Sequence, residues 1–206
     1  MYIPKPFEIT DVNEAVSFMQ QYSFATLINT SNGLPHATHL PFTVNKSNDQ
    51  IVLSSHMAKP NEQTGYLEQS TSLVIFTEPH AYISPKLYEK EQNVPTWNYI
   101  AVHAYGHATV ITDEEFQLEA LHKMIEFYDM AYLQQWATLP MDYKLKLMKG
   151  IVFFDIAVSD LQGKKKLSQN RTETDRLNVA HALTNSCNTN EKTIGNYIQS
   201  EINLKS

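Results

Sequence analysis

The chain has 206 residues, 42% of them hydrophobic and 18% charged, with a formal net charge of −6. That length suits one domain with a substantial core, and the acidic balance argues against the broad basic face of a nucleic-acid binder while leaving a local basic patch open. A single cysteine, Cys187, excludes an intrachain disulfide framework and a multi-cysteine metal centre.

The opening Met1-Tyr-Ile-Pro-Lys-Pro-Phe7 lacks the apolar core of a signal peptide and is interrupted by two prolines. The longest apolar runs, 73–76 and 151–154, are too short for a bilayer, so the expected location is cytoplasmic with no membrane partner. Asp11-Val-Asn-Glu14 has the capping spacing of a helix start, and Val12, Ala15, Val16 and Met19 then form an apolar face. A strand at 24–29 leads to Ser31-Asn-Gly33, where Asn-Gly supplies the two positive φ angles of a tight hairpin turn. A returning strand at 36–44, a turn at Ser47-Asn-Asp49 and a strand at 51–55 complete an antiparallel meander.

Pro60 suits the first turn of a helix reaching residue 69. Strands follow at 73–76 and 97–111, the second with a bend expected at Gly106. Thr112-Asp-Glu-Glu115 then opens the longest helix, whose Leu118, Leu121, Ile125, Tyr128 and Tyr132 keep the spacing of one buried stripe. A short helix at 144–149 stops at Gly150, and 151–158 reads as a last buried strand. Past Gly163 the chain turns basic at Lys164-Lys-Lys166 and then polar, with helical patterns at Leu177, Ala180, Leu183 and at Ile194, Tyr197, Ile198, Ile202. The expected class is α+β, with a domain over 1–163 and a helical C-terminal appendage over 164–206 packed on it.

Several stretches carry more polar chemistry than their surroundings require. Ser54-Ser-His-Met-Ala-Lys-Pro-Asn61 lies where strand gives way to the expected helix, and free amides there, with Lys59 and the two serine hydroxyls, suit a phosphate. A capped helix start with a solvated lysine is the commoner meaning of such a run. His36, His39 and His56 lack the helical His-x-x-x-His pairing of a metal site, and His39 alone reads more readily as a satisfied structural histidine. His80, Tyr82, Trp97 and Asn98 offer aromatic faces and donors to a planar heterocycle, balanced by the alternative of a loop packed on its own aromatics. Lys164-Lys-Lys166 and Gln169-Asn-Arg171 match an anion or a solvated charge run. No Gly-x-Ser-x-Gly elbow, phosphate loop or dinucleotide fingerprint occurs, so no catalytic residue is assigned.

Met1-Tyr-Ile-Pro4, Phe24-Ala-Thr-Leu27, Ala37-Thr-His-Leu-Pro41, His56-Met-Ala-Lys-Pro-Asn61, Pro79-His-Ala-Tyr-Ile-Ser-Pro85, Val94-Pro-Thr-Trp-Asn-Tyr99, Val102-His103 and Lys166-Leu-Ser-Gln-Asn170 together resemble the PaiB family, described as FMN-binding negative transcriptional regulators. The resemblance runs over nearly the whole chain. It implies an FMN-binding split barrel: a six-stranded antiparallel Greek-key barrel with flanking helices, dimerising around flavin sites at the interface. Leu87 stands where the family tends to have tryptophan, and Glu78 where glycine is usual, so the pocket rim is expected to differ.

On that resemblance the flavin ring is expected along Thr38, His39 and Leu40, near His56, with the phosphate at Ser54, Ser55, Lys59 and the amides before Asn61. Trp97 and Asn98 of a partner subunit are expected to cover it, Tyr82 to touch it, and Lys166 and Gln169 to close the edge. The implied role is repression, acting on DNA directly or through a regulatory protein. The alternatives are a small flavin-dependent oxidoreductase and, further off, a haem-binding split barrel using His39.

Overall fold

The structure, a computed structural model, describes residues 1–204. It falls into two compact units, one comprising 16–76 and 103–161, the other 1–15, 77–102 and the chain from 162 onward.

The first of these is built on a curled sheet. Strands β2 (Phe24–Ser31) and β3 (Leu34–Pro41) form a hairpin closed by Asn32 (φ 52°) and Gly33 (φ 78°), the positive angles that the Asn-Gly pair foretells. The strand expected at 36–44 is divided at Phe42. Its first part, β3, pairs with β2 (Ala25↔Leu40), while β4 (Thr43–Ser47) pairs with β5 (Gln50–Ala58) through Val44↔Leu53. With β6 (Thr71–Ile83), β7 (Thr96–Ile111) and β8 (Ile151–Lys166), the strand order is β3-β2-β6-β7-β8-β5-β4. The two terminal strands of this path, β3 and β4, are separated in sequence by Phe42 alone, so the sheet must curl until its ends adjoin. That closure makes a barrel and replaces the expected three-strand meander.

Alternation explains the barrel's filling. Inward positions Ala25, Leu27, Leu40, Val44, Leu53, Met57, Val74, Phe76, Phe154 and Ile156 are buried. Phe42 presents its ring edge-on to Phe76 and Phe154, with centroids 5.9 and 6.4 Å away. Gly106 lets β7 approach β8, since a Cβ there would lie 2.2 Å from the Ala157 carbonyl oxygen.

The helix expected at 60–69 is reduced to one 3-10 turn, Glu62–Gly65, because Asn61 caps it and no apolar stripe continues it. Helices α2 (Glu114–Tyr128), α3 (Tyr132–Thr138) and α4 (Met141–Met148) follow β7. Asp113, rather than Thr112, caps α2 by accepting from the amides of Glu115 (2.9 Å) and Phe116 (3.2 Å). The expected stripe is interrupted at Tyr128, which is exposed, and Met124 is the fully buried member of α2. Tyr128 Oη lies 2.8 Å from Ser23 Oγ and 3.0 Å from the Phe42 carbonyl oxygen.

The second unit holds β1 (Glu8–Ile9), paired to β8 through Glu8↔Lys164 and Ile9↔Gly163. The six strands read from sequence thus become eight: one is divided and β1 is added. Here β6 extends through His80-Ala-Tyr-Ile83, alternating exposed and buried residues, and β8 extends to Lys166. Helices α5 (Glu173–Thr184) and α6 (Thr189–Asn203) form a hairpin as their apolar spacing predicts, burying Val179, Ala180 and Leu183 with Ile194, Ile198 and Ile202. Helix α1 (Val12–Gln21) begins in this unit and ends in the other, with Ala15, Val16, Phe18 and Met19 buried and Val12 exposed. Among the described residues no helix is long and apolar enough to cross a membrane.

Candidate functional site

In the barrel unit, β3 and the turn after β5 meet through polar side chains. Asn61 Nδ2 donates to Thr38 Oγ1 (2.9 Å), and the Thr38 hydroxyl donates to Gln63 Oε1. Gln63 in turn donates from its amide nitrogen to Asn61 Oδ1 (3.0 Å) and from Nε2 to Asn29 Oδ1 (3.2 Å) and the His36 carbonyl (3.3 Å). Asn29 Nδ2 completes the network at Ser72 Oγ, 2.9 Å away. Gln63 and Asn29 are buried, and these bonds offset the cost of burying their amides. Thr38 and Asn61 therefore act as a clamp that fixes the turn carrying Lys59. Lys59 itself is exposed, has no carboxylate partner among the described residues, and is anchored by its amide donating to the Gly150 carbonyl at 2.9 Å.

The other expected residues distribute by strand parity. Ser55 faces inward, is buried, and spends its hydroxyl on the Pro41 carbonyl (2.6 Å), so it has none left for a ligand. Leu40 is also in the core. Its neighbour His39 points the other way, with Nδ1 2.9 Å from Thr26 Oγ1. Ser54 and His56 share the outward face of β5. His56 lies against Phe153, ring centroids 5.4 Å apart; its Nδ1 is buried without a partner, and burial holds the imidazole below its ordinary range. Ser54 lines a cavity of about 530 Å³ between the sheet and α2. The expected helix start with a row of free amides does not exist, because Ser54, Ser55 and His56 are mid-strand residues and only a four-residue 3-10 turn follows.

Because β3 ends the strand path, one edge of its backbone has no strand partner among the described residues. Within Thr38 to Leu40, alternate residues turn their N–H and C=O to that edge while the others bond to β2, so part of this main chain is open whatever the side chains do. Sequence reading missed Gln63 and Asn29. Asn29 was detectable, as a polar residue at an inward position after Ala25 and Leu27; Gln63 gives no local signal.

The second unit carries an exposed aromatic ledge. Trp97 lies 5.9 Å from His80 and 5.8 Å from Tyr82, the latter edge-on. Lys166 donates to Thr96 Oγ1, while burial, then Lys164 and Arg171, lowers its pKa. Lys165 is neutralised by Glu14 and by Glu201 at 2.6 Å, whereas Lys164, Lys166 and Arg171 have no carboxylate partner among the described residues. Asn98 is fully buried, opposite in parity to Trp97, and donates to Ser168 Oγ (2.9 Å). Gln169 closes its own loop by accepting from Leu167 N and donating to the Lys165 carbonyl, each at 2.6 Å. Asn98 and Gln169 thus shape the Ser168 loop (φ 61°) beside Lys166.

A family described as "Putative FMN-binding domain" matches residues 1–160. The protease synthase and sporulation protein PAI 2 of Bacillus subtilis is 42% identical over 205 residues, covering 98% of each chain. A flavocytochrome of Azotobacter vinelandii superposes with TM-score 0.61 at 15% identity, covering 78% of this chain and 69% of its own. An FAD- and haem-binding protein of Mycobacterium smegmatis gives 0.59 at 14%, covering 77% and 73%. The two structures share the split-barrel fold, and the sequence match assigns the cofactor, FMN. The chain belongs to the FMN-binding PaiB family.

Proposed function

We propose that this protein is a flavin-binding regulator of the PaiB kind, a repressor acting on DNA directly or through a partner protein. The observation that carries the flavin part is the clamp of Thr38 and Asn61. It holds an unpaired cation, Lys59, next to the outward face of β5 and the free backbone edge of β3. A phosphate monoester suits Lys59, because charge-assisted hydrogen bonds are the strong ones. The polar edge of the ring suits the main chain of Thr38 to Leu40, with His39 and the neutral His56 on outward-facing positions. When bound, FMN supplies a planar heterocycle that can be reduced and reoxidised. Cover comes from a second copy of the chain, through Trp97 and Tyr82, with Lys166 near the rim.

The regulatory part is supported by 42% identity over 98% of the chain to a protein named for sporulation and protease synthesis. Titration of Lys59→Ala with FMN and with riboflavin tests the site. FMN should weaken by about 1.5–3 kcal/mol, the size of a hydrogen bond to a charged group, while riboflavin binding stays as in the parent. Equal losses for both ligands, or none for FMN, would remove Lys59 from the phosphate.

A further inference from the structure

The cavity between α2 and the sheet lies wholly within the barrel unit. Its floor is a row of three polar side chains on consecutive strands: Thr43 of β4 opposite Ser54 of β5, and Ser54 opposite Asp155 of β8. Directly opposed residues of antiparallel strands share a face, so the three side chains stand side by side on the outer surface of the barrel. Thr43 is 93% buried (7% exposed), yet its hydroxyl has no hydrogen-bond partner among the described residues, and its parity directs it into the cavity. Asp155 likewise makes no ion pair or hydrogen bond among the described residues.

The remaining charges of the lining are already engaged. The Asp113 carboxylate caps α2, and Glu119 pairs with Lys123 at 2.6 Å on the exposed rim. The free charge in the cavity is therefore the negative one of Asp155. Val52, Ile111 and Ala120 supply apolar walls, and Phe116, 63% exposed, stands at the mouth. A cavity of about 530 Å³ with apolar walls and a few convergent polar groups has the make-up of a small-molecule site.

We propose that this cavity binds an organic cation, an alkylammonium group attached to a compact apolar or aromatic body. The ammonium meets the Asp155 carboxylate and donates to the Thr43 and Ser54 hydroxyl oxygens, which uses the three hydrogens of a primary ammonium. The body lies on Val52 and Ile111 under α2, with the Phe116 ring at the entrance able to face a cation. The site differs from the proposed flavin site in its residues, because Lys59, His39 and the edge of β3 take no part in it; the two share only the outward face of β5, where Ser54 belongs to the cavity.

The test is calorimetric titration of the FMN-loaded full chain with phenethylamine at pH 7, alongside phenethyl alcohol, which has the same body without the charge, and phenylacetate, which has the opposite one. The amine should bind at least about tenfold more tightly than the alcohol, as expected for a hydrogen-bonded charge, and phenylacetate should not bind. Asp155→Asn should remove that advantage, and Ala120→Trp, which fills the space instead, should abolish amine binding. Flavin fluorescence, followed in parallel, should report unchanged FMN binding in both variants and so confirm that they are folded. Equal affinity for amine and alcohol, an Asp155→Asn protein that keeps the preference, or no amine binding at millimolar concentration would each overturn the proposal.

Discussion

Two half-buried imidazoles in the barrel unit have a buried Nδ1 with no partner among the described residues, His56 on β5 and His103 on β7. Burial disfavours the charged form, so each pKa lies below the ordinary 6.5. In the unfolded chain both rings take up a proton near that ordinary value, and in the folded chain they do so at lower pH. Below pH 6.5 the unfolded state therefore binds more protons, and stability falls as the pH drops from 6.5 through the folded pKa values, then levels off. Above about pH 8, where the unfolded rings are neutral too, the two residues contribute no slope. Thermal unfolding of the parent and of His56→Gln with His103→Gln, followed from pH 8 to pH 5, should show a shallower acid slope in the double variant. Parallel curves would mean that other groups set the acid limit. In the proposed flavin site the same neutrality would make His56 a hydrogen-bonding group rather than a charge, with Lys59 supplying the charge.

At the level of elements, the most constrained contact is the crossing of β7 and β8 at Gly106. A Cβ there would lie 2.2 Å from the Ala157 carbonyl oxygen and 2.8 Å from Ile156 Cγ2, and main chain cannot swing aside as a long side chain can. Gly106→Ala should cost roughly 1–3 kcal/mol in chemical denaturation, the range for overpacking. Gly65→Ala, where the added methyl group meets nothing within 4 Å, should stay near the parent. Elements of this sort differ in how far sequence reveals them. The Asn32-Gly33 turn and the α5–α6 hairpin were legible, because a two-residue turn signal and a 3–4 apolar spacing are local properties. The division of the chain at Phe42 was not, since alternation runs through it unbroken and only the choice of strand partner distinguishes β3 from β4. Nor was the strand character of 80–83, where exposed His80 and Tyr82 alternate with buried Ala81 and Ile83. For the site, the family resemblance pointed to Thr38, Lys59 and Asn61, but the residue that joins Thr38 to Asn61, Gln63, reaches partners 34 and 27 residues away and leaves no mark on its own neighbourhood.

At the scale of the molecule, two surface properties bear on assembly. Trp97 and Tyr82 expose 52% and 46% of their surface, side by side on a sheet face, and large apolar groups clustered in water commonly mark a contact. Two-fold dimers dominate soluble oligomers, and in the proposed dimer a ledge covering a second copy's flavin would make the contact reciprocal. The second property is charge. Although the chain carries −6, the half-buried Lys166 and Arg171 lie in one unit without carboxylate partners among the described residues, while Lys165 is neutralised and Lys164 is buried with its ammonium on the Tyr2 carbonyl. Such a local cluster can contact phosphates where the molecule as a whole repels them, so any direct DNA binding should be weak and steep in salt. Sedimentation with and without a promoter fragment, at several salt concentrations, reads both properties. The protein alone should run at twice 23.6 kDa, and the fragment should join it at low salt and leave as salt rises. Arg171→Ala, which removes one cation from the cluster, should flatten the salt dependence by a slope of about one. A mass of 23.6 kDa at micromolar concentration would take the second copy out of the flavin site. A fragment that sediments alone at low salt would exclude direct contact and leave the proposed repression to a protein partner, in which case Lys166 and Arg171 are the cations left to face that partner's acidic surface.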